Sequence, residues 1–136
     1  MRPSAEIAQL VGDWFAAASR GDPSLIERHV LHSDAARLVG SDPAEWLQGG
    51  AEIATFLRGE VEGAGGDVTF TPSGTEAFES GDVGWAATKL SIALADGRKV
   101  TPRWTAVFVR DGGRWQFVQT HASIGVANED IGWTYE

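Results

Sequence analysis

Apolar residues at Ile7, Leu10, Val11, Trp14, Phe15 and Ala18 recur at the three- and four-residue steps of one helix face. Ser4 is placed to cap the start of this helix, and Gly21 to end it in the left-handed conformation. Asp22-Pro23 reads as a restart, with Asp as cap and Pro in the first turn. The stripe that follows is Leu25, Ile26, His29 and Val30. Ala36–Val39 is a short strand candidate, Gly40-Ser41-Asp42-Pro43 a turn, and Glu45–Gly49 a short extended piece. A third helix is expected over about Ala51–Val61, with Ile53, Phe56, Leu57 and Val61 on one face. The run Gly63-Ala64-Gly65-Gly66 stops it.

From Asp67 the period changes to two. Val68–Phe78 reads as a long strand, bent near Pro72-Ser73-Gly74. Gly84–Leu94 follows the turn at Gly81-Asp82. Asp96-Gly97 and Asp111-Gly112-Gly113 are hairpin signals, leading to Lys99–Arg110 and Arg114–Ile124. The pattern is three helices and then a four-strand antiparallel meander. A curved sheet with one apolar face needs a cover, and the helices supply it. The expected fold class is α+β: a cone-shaped barrel with three N-terminal helices packed on a strongly curved antiparallel sheet. A cone that side chains do not fill makes a pocket.

The chain has 136 residues, which fits one domain over 1–136. Its 19 acidic and 11 basic residues leave a net charge of -8, which argues against nucleic acid or an anionic membrane as partner. No cysteine is present, so thiolate chemistry and Cys-type metal sites are excluded. No apolar run approaches a membrane span or a signal-peptide core, and the cytoplasm is the expected compartment. Six tryptophans are the compositional surplus. Large rigid aromatics can hold an apolar or ring-shaped ligand.

The run Trp14 to Asp22, the segment Gly40 to Trp46, and the final hairpin together resemble the SnoaL-like domains of the nuclear transport factor 2-like superfamily. The hairpin carries Arg103-Trp104-Thr105-Ala106-Val107-Phe108, then Gly112-Gly113-Arg114-Trp115, then His121-Ala122-Ser123. It is also similar to the association domain of calcium/calmodulin-dependent kinase II. The resemblance implies a cone-shaped α+β barrel, commonly dimeric through its sheet. It implies no single function, because the superfamily includes isomerases, dehydratases, epoxide hydrolases, cyclases, transport factors and kinase hubs. At the isomerase tyrosine and aspartate positions this chain carries Trp14 and, near the second, Leu38. Neither side chain can move a proton near neutral pH. Arg103 and Asp34 can supply two members of the Asp–Arg–Asp set of the epoxide hydrolases, without a convincing third. The cavity arginines of the kinase hubs correspond to Ala106 and Ala122.

Candidate acid–base groups are His121, His29 and Asp34. Each has a structural alternative: a cross-sheet or interface histidine, a satisfied core histidine, and a turn or capping aspartate. Glu45 is a rim candidate on the same footing. The ligand-pocket candidates are Trp14, Trp46, Phe56, Trp85, Trp104 and Phe108. Strict alternation puts Trp115, Phe117, Gln119, His121 and Ser123 on one face of the last strand, and Gln116, Val118, Thr120, Ala122 and Ile124 on the other. The kinase-hub comparison favours the second set inside. Trp115, Gln119 and Ser123 are then candidates for a homodimer interface. The histidines are not at ligand spacing, and no metal or cofactor is expected. The tail Gly125–Glu136 is expected to dock through Trp133 and Tyr135. The leading expectation is a hydrophobic small-molecule ligand in a Trp-lined pocket, with lyase or isomerase turnover open. The alternatives are a homo-oligomerisation or regulatory module and a non-catalytic carrier.

Overall fold

In the computed structural model, which describes residues 1–133, helix α1 (Ala5–Ser19) buries Ile7, Leu10, Val11, Phe15 and Ala17. Ser4, with extended backbone, fixes its start: the hydroxyl oxygen accepts from the Ile7 N–H at 3.2 Å. The same side chain bonds the Glu79 carboxylate, and Arg2 approaches that carboxylate to 2.8 Å. The Ser4 bond first, and Arg2 after it, hold the Glu79 carboxyl below the usual carboxylate range. The helix start is thereby tied to the sheet. Helix α2 spans Ser24–His29 and α3 spans Gly50–Ala64. Helix α3 runs past the exposed Gly63 and stops only at Gly65, which takes φ +59°.

The strands are β1 (Arg2–Pro3), β2 (Arg37–Val39), β3 (Trp46–Gln48), β4 (Thr69–Ser80), β5 (Val83–Ala93), β6 (Lys99–Val100), β7 (Arg103–Asp111) and β8 (Arg114–Ser123). They form one sheet in the order β1-β4-β5-β7-β8-β2-β3, with β6 beside β5. Among the described strands the pairings are antiparallel except β2 with β8, which is parallel, as is the isolated bridge from Val30 to Phe117. The expected strand over Lys99–Arg110 divides at Thr101-Pro102. Proline cannot donate to a ladder, and the Pro102 carbonyl instead accepts from the Leu90 N–H at 3.0 Å. The fold is α+β, with three helices and a large curved, mainly antiparallel sheet.

A bulge decides which side chains of β8 face inward. Val107 pairs with Gln119 and Phe108 with Phe117, so Val118 has no partner across the ladder. One extra residue reverses the alternation. Trp115 and Phe117 point into the core before the bulge. After it, Thr120 and Ala122 face the helices while Gln119 and His121 are exposed. Neither set expected from strict alternation survives intact.

The core has two parts. In the first, α1 packs on Ala77, Ala86, Leu90, Trp104, Ala106, Phe108, Trp115 and Phe117 of the sheet. In the second, Ile26 and Val30 meet Ala36, Leu38, Ile53 and Ala54. Trp14 packs against both. At Gly84 a Cβ would collide with Ile7 Cδ1, so glycine there lets α1 lie close against β5. No described helix is long and apolar enough to cross a membrane.

Candidate functional site

The inner face of the sheet and the three helices enclose a cavity of about 390 Å³. It lies towards the low end of the roughly 300–1,000 Å³ typical of small-molecule sites. Small residues keep it open: Ala17 and Ala18 on α1, Ala64 on α3 and Ala122 on β8 all line it. Its aromatic wall is Trp14, Phe15, Phe70 and Trp104, with Phe56 from α3. Phe15 meets Trp104 edge-on at 5.1 Å and lies against Phe70 at 6.2 Å. These ring pairs fix the wall, since aromatic pairs in such geometry add to area burial.

The polar lining is sparse. Ser41 and Thr120 supply hydroxyls, and Asp22, Glu45 and Glu60 supply carboxylates. Asp22 Oδ1 accepts from the Ser24 N–H at 2.9 Å, and Arg20 stands 3.6 Å from Oδ2. Those contacts, led by the Ser24 N–H, hold its carboxyl below the ordinary range. Glu45 Oε1 accepts from the Asp42 N–H at 2.9 Å. Its side chain lies across Gly40, where a Cβ would fall 2.6 Å from Glu45 Cβ.

The sequence-predicted residues fall in several places. Trp14, Phe56 and Trp104 line the cavity. Phe108 is 0% exposed in the core and packs on Phe117 at 4.6 Å. Trp85 is on the outer face of the sheet, stacked on Phe78 at 6.2 Å. Trp46 sits on the edge strand β3, 62% exposed, in register with Val39 and through it with His121. Trp115 is 4% exposed in the core of this chain, beneath the Arg110 guanidinium at 4.2 Å. It is therefore no surface residue that a partner copy can cover. Gln119 is exposed, and Ser123 Oγ accepts from the Arg103 guanidinium at 3.3 Å.

The three acid–base candidates are dispersed. His121 is exposed on the outer face, opposite Thr105. His29 is the last residue of α2, and its Nδ1 donates to the Trp115 carbonyl at 2.8 Å. Asp34 lies in an exposed loop, where its backbone carbonyl accepts from the Arg37 guanidinium at 2.6 Å. None of the three side chains lines the cavity. Trp133 is 57% exposed, and Tyr135 lies outside the described residues. Among the described residues no three His, Cys, Asp or Glu side chains converge as a metal site.

Asp22, Glu60 and Ser41 line the cavity without having stood among the pocket candidates, whereas Thr120 belongs to the strand set favoured inside. Asp22 is not the N-cap expected for α2: that position falls on Pro23, and the Asp22 carboxylate instead closes a local turn onto the Ser24 N–H while also lining the cavity. Glu60 carried a signal: it stands four residues after Phe56 and three after Leu57, on the edge of the apolar stripe of α3.

Solved structures with this architecture are numerous. An NTF2-like protein of unknown function from Pseudomonas putida aligns over 97% of this chain and 93% of its own, with 21% identity and a TM-score of 0.78. A Streptomyces avermitilis protein provisionally assigned as a dehydratase of the NTF2-like family aligns over 90% and 95%, with 19% identity and a TM-score of 0.73. A Xanthomonas campestris protein provisionally assigned as a calcium/calmodulin-dependent protein kinase II association domain aligns over 92% and 95%, with 16% identity and a TM-score of 0.67. At these identities the likeness shows the fold. No curated protein matches the sequence. Residues 7–127 match the SnoaL-like domain family. That match spans most of the helices and sheet that build the cavity, and the chain belongs to the SnoaL-like domain family.

Proposed function

We propose that this chain binds a hydrophobic small molecule between its helices and the inner face of its sheet. The observation that carries the reading is the cavity of about 390 Å³ with an aromatic wall and a few polar groups. The titratable groups lining it are Asp22, Glu45 and Glu60, so proton transfer to or from a bound molecule falls to them rather than to His121, His29 or Asp34. Asp22 stays ionised at neutral pH and can accept a proton, but the contacts that depress its pKa make it a weaker base than an ordinary carboxylate. A lyase- or isomerase-type step accords with this, and the dehydratase assignment of the Streptomyces avermitilis relative points the same way. Titration with the neutral fluorophore N-phenyl-1-naphthylamine tests binding directly. Saturable enhancement at a single site is expected, and a linear, non-saturating rise would defeat the reading.

A second reading concerns assembly. We infer that the outer face of the sheet, with Phe78 stacked on Trp85 beside Val107 and Gln119, pairs two copies of the chain. Among the described residues no helix covers these rings, and burying them against a copy is favourable. Sedimentation of Trp85→Glu should give a monomer with an unchanged circular dichroism spectrum. A dimer that persists in this variant removes the face from the interface.

A further inference from the structure

We infer that the molecule taken up by the cavity carries a positive charge: an apolar, ring-bearing amine. This rests on the cavity being a ligand site, and it names the class of ligand.

Among the described residues the charged side chains in the lining are all carboxylates, and no Lys, Arg or His lines the cavity. An anionic ligand would meet like charge with no donor of opposite sign, which costs affinity and directs it elsewhere. The three carboxylates differ in how far they are already matched. Asp22 has Arg20 at 3.6 Å. Glu60 lies two residues from Arg58, but that guanidinium pairs with Glu27. No ion pair engages Glu45 or Glu60 among the described residues.

Glu45 is also held in place. The Gly40 N–H donates to the Glu45 carbonyl at 2.8 Å, and the Asp42 N–H donates to Oε1 at 2.9 Å. The side chain occupies the space that a Cβ on residue 40 would fill. Its Oε2 has no partner among the described residues. A half-buried carboxylate fixed this way, with an open acceptor beside an apolar wall, fits an ammonium group attached to a ring. Trp14 and Trp104 add to the preference, because aromatic faces attract cations as well as apolar rings. The net charge of -8 favours the approach of the same ligands.

Calorimetric titration with three molecules of one shape tests this: 1-naphthylmethylamine, 1-naphthalenemethanol and 1-naphthaleneacetate. The amine should bind about tenfold or more tightly than the acetate, with the alcohol between them, and the gap should narrow as salt is raised. In Glu45→Gln/Glu60→Gln the difference between amine and acetate should shrink at least several-fold. Equal affinities in the wild type, or a gap that does not shrink in this way in the double variant, overturn the charge inference and leave the cavity reading standing. If none of the three binds, and the neutral fluorophore does not bind either, the cavity reading itself has failed.

Discussion

Phe108→Ala is expected to lower the free energy of unfolding by about 3–5 kcal/mol, measured by urea denaturation. The ring is 0% exposed and packs tilted on Phe117 at 4.6 Å. Truncation removes its buried apolar surface and leaves a void in a layer pinned by α1 on one side and by the β-ladder on the other. Trp85→Ala provides the contrast. That ring lies half-buried on the outer face, where its described ring partner is Phe78. Its loss should cost about 1 kcal/mol, the scale of one aromatic pair with partial burial. Both residues entered as pocket candidates on the same grounds. A Phe108→Ala cost as small as that of Trp85→Ala would mean that Phe108 borders empty space and not a packed core.

Ala122→Phe is expected to weaken binding of an apolar ligand by about tenfold or more, which is about 1.4 kcal/mol or more. Ala122 is directly opposite Trp104 in the β7–β8 ladder, and both residues line the cavity. A phenyl ring grown from that position enters the volume a ligand would fill. Because it enters open space and not packed atoms, stability should change by no more than about 1 kcal/mol. Binding loss without destabilisation is the signature of a filled site. Loss of both would indicate a disturbed sheet, and retention of both would place the ligand elsewhere.

Much of the fold could be read from periodicity, because its drivers are local. The six-residue stripe of α1, the Ser4 cap and the hairpin glycines each act within a few residues of themselves. What escaped was non-local. The parallel pairing of β2 with β8 joins Arg37 to Gln119 and leaves no mark in either segment. The bulge at Val118 turned an inside-outside question with two answers into one with a mixed answer, and it moved Trp115 from a candidate interface into the core. The aromatic wall was partly visible, since Trp14, Phe56 and Trp104 sit on apolar stripes that also line the cavity. The carboxylates were less visible. Asp22 and Glu60 occupy positions where capping or solvent exposure is a sufficient explanation, and only the closure of helices over sheet brings them to one space.

The central claim is that the space between helices and sheet is a ligand site. Fluorescence titration of N-phenyl-1-naphthylamine, run side by side on the wild type and on folded Ala122→Phe, tests it most directly. The account predicts saturable binding by the wild type and its loss in the variant. Equal saturable binding by both proteins, or none by the wild type, would contradict it.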